Sequence, residues 1–195
     1  MDSAYGFDRD DDYSEEPIIE APPPLLGSAE RRMHVRAYEH WVSLLAGRPY
    51  PSIEELDFDA LTDFEPRSVL LDYTGGVSDP RVVRIGRTLR EECGAAEGVI
   101  SVSDVPRGSL LSRLTDHFLE IIGTRAPIGF EAEFTNHQGL PTLYRGILMP
   151  FSSDGQTIDH VLGVINWKHA LSSDLADALR REMDGLGNWP KPSRH

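Results

Sequence analysis

Residues 128–168 read IGFEAEFTNHQGLPTLYRGILMPFSSDGQTIDHVLGVINWK, and this stretch decides the fold class. Ile128, Phe130, Ala132 and Phe134 alternate with Gly129, Glu131, Glu133 and Thr135, the period of a strand with one buried face. His137–Pro141 reads as a turn and Leu143–Phe151 as a second strand; Ser152–Gly155 is another turn and Ile158–Lys168 a third strand. Three consecutive strands joined by short glycine-containing turns form an antiparallel meander. The last strand is apolar at both parities, with Leu162 and Val164 on one face and Val161, Ile165 and Trp167 on the other. A strand apolar on both sides must be covered on both sides, so the sheet is expected to be sandwiched.

Upstream, Arg67–Tyr73 reads as a strand, residues 74–80 as a turn, and Arg81–Gly86 as the second strand of a hairpin. Arg87–Cys93 is a short helix capped by Gly94, and residues 95–108 are irregular, with a helical turn near Asp104 and Pro106. Leu111, Leu114, Phe118, Ile121 and Ile122 form the stripe of one longer helix over residues 109–123, ended by Gly123. Nearer the start, Tyr38, Trp41, Val42 and Leu45 fall at i, i+3, i+4 and i+7, the mark of an amphipathic helix that opens at an N-cap Ser28 and stops at Gly47. Its apolar stripe needs cover, from the domain's own sheet or from a second copy of the chain. Residues 51–66 read as short helical turns, and Leu175, Leu179 and Met183 as a last helix before a loose tail.

The first twenty residues carry eight acids against one base, Arg9, too polar a run to offset its ordering entropy. Pro17–Leu26 follows as an apolar, proline-rich stretch, readable as a stiff linker or as a short docking peptide. The organisation expected is a disordered tail over 1–27, one domain over 28–170, and a C-terminal helix with a loose end over 171–195.

The formal net charge of −13 argues against nucleic acid and against an anionic membrane surface as partners. A single cysteine, Cys93, excludes an internal disulfide and a cysteine-based zinc cluster, which suits a reducing cytoplasm. The N-terminus has neither a basic nor an apolar signal region, and no apolar run is long enough to span a bilayer. A soluble, cytoplasmic protein without membrane insertion is the expectation.

Two strands, a helical insertion and a three-stranded meander resemble the PAS fold, with residues 109–123 in the place of its central connecting helix. The stretch Tyr38-Glu-His-Trp-Val-Ser-Leu-Leu-Ala-Gly-Arg-Pro-Tyr-Pro-Ser52, followed by Leu56-Asp-Phe-Asp59, is similar to the entry segment of the stand-alone PAS proteins of alphaproteobacteria. Asp104-Val-Pro-Arg-Gly108 and Gly146-Ile-Leu-Met-Pro-Phe151 are similar too, so the resemblance spans residues 29–168. One departure is Val83-Arg-Ile-Gly-Arg87, where the residue after the glycine differs from the family's usual pattern. The resemblance implies an α+β domain: a PAS-like antiparallel five-stranded sheet with helices on one face, plus the N-terminal amphipathic helix. It also implies a bacterial signal-transduction module that is not an enzyme and acts by binding other proteins, histidine kinases or related regulators among them.

No catalytic constellation, metal set or cofactor motif stands out. His34 and His40 are six apart and share no helix face, and Asp159 and His160, as strand neighbours, are expected to point to opposite faces. Cys93 lacks the polar surroundings of a flavin-adduct cysteine and reads as a small buried thiol. His117 flanks the central helix, from which some PAS domains ligate haem; a hydrogen-bonded flank histidine is the plainer reading. As a sensor of a small ligand, the domain would bind it between central helix and sheet, lined by Leu114, Phe118, Phe130, Ile147 and Met149, unless these residues form a filled core. A homodimer interface is expected on Tyr38, Trp41, Val42, Leu45 and Trp167, large side chains that are costly to leave wet or else belong to ordinary core packing. An enzyme of another α+β class, such as a cone-shaped isomerase-like fold, would need a longer and more curved sheet than these strands supply.

Overall fold

A computed structural model describes residues 18–20, 32–78, 80–95, 98, 100–170 and 181. The expectations for residues 1–17, for the helix start at Ser28 and for the C-terminal helix therefore lie outside the described residues, Arg181 apart.

The three-stranded meander forms as the alternation requires. Strand β5 (Ile128–Thr135) pairs antiparallel with β6 (Pro141–Phe151), and β6 pairs antiparallel with β7 (His160–His169). The upstream hairpin is β2 (Ser68–Asp72) and β3 (Arg81–Ile85), and β2 docks on the far side of β7. Two short strands lengthen the sheet beyond the five expected: β1 (Ile18–Glu20) on the β5 edge and β4 (Ile100–Ser101) on the β3 edge. The order across the sheet is β1-β5-β6-β7-β2-β3-β4. Ile18–Glu20 belongs to the stretch readable as linker or docking peptide, and here it is an edge strand in register with Gly129–Glu131.

Both faces of the sheet are covered, and the parity of β7 assigns each residue to its layer. Val161 and Ile165 are buried with Val69, Leu71, Ile128, Phe130 and Leu148 beneath helices α2 (Arg87–Cys93), α3 (Leu110–Thr115) and α4 (Phe118–Thr124). Leu162 and Val164 are buried with Leu70, Ile147, Met149 and Phe151 beneath α1 (Met33–Leu45). On α1 the buried residues are Val35, Ala37 and Trp41; Ala37 and Trp41 belong to the layer over the sheet, and Tyr38, Val42 and Leu45 pack against it. The Trp41 ring stacks on Tyr38, and its indole N–H donates to the Pro150 carbonyl at 2.8 Å, so the polar edge of the ring is satisfied inside the layer. The helix ends where Ala46 takes the left-handed conformation (φ 47°), one residue before Gly47.

Two expectations on the helices need correction. The single helix read over 109–123 is broken at Asp116 and His117 into α3 and α4. The Thr115 hydroxyl bonds back to the carbonyls of Leu111 and Ser112, which closes the first piece. Gly123 does not stop the second piece; Arg125 does, in a left-handed conformation (φ 55°), donating from its side chain to the Tyr50 hydroxyl at 3.0 Å and to the Gln156 carbonyl at 3.1 Å. That arginine ties the helix layer to the segment leaving α1 around the end of the sheet.

Truncating Trp41 to alanine removes a buried ring and its hydrogen bond at once. We expect the Trp41→Ala variant to lose about 3–5 kcal/mol of unfolding free energy, read by chemical denaturation at constant m-value. A loss below about 1 kcal/mol would show that α1 contributes little to the fold.

Candidate functional site

The pocket expected between central helix and sheet depends on five side chains meeting on one face, and they do not. Leu114 and Phe130 are buried in the layer under α3 and α4, with Phe118 packed at its edge, whereas Ile147 and Met149 are buried on the opposite face beneath α1. The reason is register. Phe130 lies opposite Gly146, so the even-numbered residues of β6, Tyr144 and Leu148, face the helices and the odd-numbered ones face α1.

Where a ligand would sit, the space is filled. The Phe130 ring lies directly over Gly146, where a Cβ would stand 2.4 Å from its Cζ and 2.8 Å from the Val164 carbonyl oxygen. Gly163 on the neighbouring strand does the same for the helix: a Cβ there would meet methyls of Leu114, Leu148 and Val69 at 3.0 Å each. Two glycines on neighbouring strands, offset by two residues, thus let a ring and a helix settle onto the backbone of the sheet. His117 completes the layer, stacked on Phe130 at 5.5 Å between centroids and paired with Glu120 at 3.4 Å. The Tyr73 hydroxyl, buried beside Phe118, has no hydrogen-bond partner among the described residues, and burial pushes its pKa up.

The interface residues are also divided between layers. Tyr38, Trp41, Val42 and Leu45 pack against the chain's own β6 and β7, so the stripe of α1 is covered in cis. Trp167 belongs to the other face, half-buried with the helix layer, and the Arg67 guanidinium lies 4.4 Å over its ring. The five do not form one patch because residue 167 has the parity of Val161 and Ile165, not that of Leu162 and Val164.

Cys93 is buried, and its Sγ accepts from the Leu111 amide at 3.3 Å. Burial pushes the thiol up to about 11, which fits the reading of an inert small side chain. Asp159 and His160 do touch, contrary to the strand-neighbour expectation: Nδ1 of His160 is 2.7 Å from Asp159 Oδ1. Alternation does not apply because β7 begins at His160 and Asp159 is still in the loop. Asp72 stands 3.9 Å from His160 Nε2. Burial works against the Asp72 carboxylate, but hydrogen bonds from Thr74 and the charges of His160 and Arg81 outweigh it and hold the group below its usual range. Asp159 accepts from the Ser153 amide and hydroxyl, so serine, carboxylate and imidazole are in contact here, yet the serine meets the carboxylate and not the imidazole. That order sets the hydroxyl against a carboxylate rather than an imidazole, unlike the serine–histidine pair of an activated nucleophile. Among the described residues no group of three metal-ligating side chains converges, and no helix is long and apolar enough to cross a membrane.

What concavity exists is on the outside. One cleft, of about 510 Å³, lies between the first turn of α1 and strands β5 to β7, with Met33 and Leu143 as apolar lining, Arg32 and Lys168 as basic lining, and Arg145 paired with Glu131 in its wall. A second, of about 710 Å³, runs beside β3 and α2 and is lined by Glu65, Arg84, Arg87, Thr88 and Arg90. Gly86 forms its hinge. A Cβ on that residue would be 2.1 Å from the Glu65 carbonyl oxygen, so only glycine lets the 3₁₀ turn at Glu65–Arg67 pack there. The residue after this glycine, Arg87, is exposed and faces the second cleft, away from the core.

The fold is PAS-like. Its two-stranded hairpin, helical insertion and three-stranded meander stand in one antiparallel sheet with α3 and α4 on the face where the central helix was expected. No family model and no curated protein matches the chain. Solved structures similar to it include a light-oxygen-voltage domain studied with a flavin analogue, at 12% identity over 60% of this chain and 87% of that one, with a TM-score of 0.36. The PAS domain of Bordetella pertussis BvgS is similar at 16% identity over 63% and 89%, with a TM-score of 0.35. An RNA-binding light-oxygen-voltage receptor is similar at 10% identity over 88% of this chain and 42% of that one, with a TM-score of 0.39. At these values none of the three bears on what this chain binds.

If Phe130 fills the space over Gly146, a methyl group there is costly. We expect Gly146→Ala to destabilise the protein by about 1–3 kcal/mol, and by clearly less in a Phe130→Leu background. Equal costs in both backgrounds would mean that the ring does not rest on the glycine.

Proposed function

We propose that this chain is a PAS-like signalling module that acts by binding other proteins, histidine kinases or related regulators of bacterial type among them, and not by catalysis. The observation that carries the reading is the filled helix-side layer. With Phe130 on Gly146 and Leu114 on Gly163, the interior space that a small-ligand sensor of this fold would use is occupied by the chain's own side chains. Function then falls to the outer surface, where the cleft between α1 and strands β5 to β7 joins apolar Met33 and Leu143 to Lys168 and to the ion pair of Arg145 with Glu131. That composition fits a partner segment with an apolar anchor and polar neighbours. The resemblance to stand-alone PAS proteins of alphaproteobacteria supplies the partner class. A cytoplasmic location is part of the same reading.

A second reading, a small-ligand sensor, draws support from the buried Tyr73 hydroxyl, which a polar ligand atom could satisfy.

Native mass spectrometry of the untagged protein, purified without added cofactors, separates the two. We expect the bare chain mass of 21.7 kDa per subunit, and saturable binding of cytoplasmic histidine-kinase segments by calorimetry that Leu143→Asp weakens at least tenfold, about 1.4 kcal/mol. A reproducible extra mass on every subunit would favour the sensor, and intact kinase binding in Leu143→Asp would remove the α1 cleft from the account.

A further inference from the structure

At the β5 side of the sheet only part of the edge is taken. In the order β1-β5-β6-β7-β2-β3-β4 the outermost strand is β1, and it pairs with Gly129, Phe130 and Glu131 alone. Strand β5 runs on to Thr135, so Ala132–Thr135 have β6 on one side and, among the described residues, no strand on the other. The sequence explains why the inner occupant is short. Pro17 stands before Ile18, and Pro22, Pro23 and Pro24 follow soon after Glu20; proline has no amide hydrogen to give a ladder. The side chains along the edge set what else can add there. Phe130 and Phe134 are buried in the helix layer with Ala132 packed against it, while Glu131, Glu133 and Thr135 are exposed on the opposite face. Glu131 pairs with Arg145, whereas Glu133 has Leu143 as its register partner and no ion pair among the described residues.

We propose that the outer edge of β5 is a strand-addition site for an extended partner segment in which apolar residues alternate with Lys or Arg, and that β1 is the internal strand this segment displaces. The proposal rests on the reading that the chain acts by binding other proteins, and it specifies the mode: main-chain hydrogen bonds supply affinity and alternation supplies specificity. Residues of an added strand share the face of those they pair with. Apolar side chains would then lie beside Phe130, Ala132 and Phe134, and basic ones beside Glu131 and Glu133. Glu131 and Leu143 also line the cleft under α1, so the basic side of the added strand follows the rim of that cleft. A segment paired along the whole of β5 makes more ladder contacts than the three of β1, which gives it the means to displace that strand. A second copy of this chain fits less well. A sheet continued from β5 to β5 sets the glutamates of one copy beside those of the other, and like charges directly opposite guard an edge against self-pairing.

The probe is a peptide of about ten residues alternating Val and Lys, long enough to span β5, and the readout is hydrogen exchange of the full chain. We expect saturable binding that slows exchange of outward-facing amides within Gly129–Thr135 by about tenfold and leaves the β7 amides unchanged. The fully N-methylated peptide has no amide hydrogen to donate and should bind about tenfold more weakly or worse. Glu133→Lys, at an exposed position, should weaken binding about threefold or more, and Ile19→Pro, which removes an amide of β1, should strengthen it by a similar factor. The N-methylated peptide acts on the wild-type chain, so the test stands even where a variant fails to fold. Binding that leaves Gly129–Thr135 unprotected, equal binding of the N-methylated peptide, or no binding at about 1 mM would overturn the proposal. Unchanged or weaker binding in Ile19→Pro would overturn the displacement of β1. The two readings fail separately. Histidine-kinase segments that bind without protecting β5 sink the edge alone, whereas protection by the alternating peptide with no kinase segment bound upholds the edge and removes that partner class.

Discussion

The rest of the structure depends on the pairing of β6 with β7. Ten consecutive residue pairs, from Thr142 opposite His169 to Phe151 opposite His160, run through the middle of the sheet, and both strands are loaded on both faces. Ile147, Met149, Leu162 and Val164 face α1, while Leu148, Val161 and Ile165 face α3 and α4. Each strand residue is therefore committed to a layer by its parity alone. A slip of one residue would exchange the two layers at a stroke, which is why the register is firmly held. Burial of each of these aliphatic side chains is worth on the order of 1.5–3 kcal/mol, so the central pair accounts for a large share of the apolar driving force.

Against that centre, close approach is set by glycines. Gly146 and Gly163 admit Phe130 and Leu114, and Gly86 admits the backbone of the turn at Glu65–Arg67. The first two turn what could have been a binding chamber into a packed layer. The third shapes the edge of the sheet so that Arg84, Arg87 and Arg90 line a cleft there. The same residue type thus closes the interior and builds the exterior, and this moves the functional question from an enclosed ligand to the outer surfaces and the segments that reach them.

Much of this was legible in the sequence, and each part that was not has its own physical reason. The strict alternation of Ile128 to Phe134 placed β5 and its buried face, and Arg87–Cys93 with Gly94 behind it was read to the residue. By contrast Ile147, Leu148 and Met149 are apolar in succession, so period alone cannot say which of them faces the helices; only the pairing of Gly146 with Phe130 decides it. Trp167 matches Trp41 in size, but its parity places it with Val161 in the other layer. Alternation does not reveal the contact between Asp159 and His160, because the strand begins only at His160. The break between α3 and α4 lies in hydroxyl bonds back to the backbone at Thr115, which do not disturb the apolar stripe that signalled one helix. Strands β1 and β4, at three and two residues, are too short to carry a period.

Native-state hydrogen exchange tests the central role of the β6–β7 pair most directly. If the account holds, the amides of Thr142–Phe151 and Val161–Ile165 that bond across this pair exchange only through global unfolding, with an opening free energy equal to that from denaturant titration. The amides of α1 and of the β2–β3 hairpin should open at lower free energy. Sub-global opening of β6 and β7 while α1 or the hairpin stays protected would contradict the account.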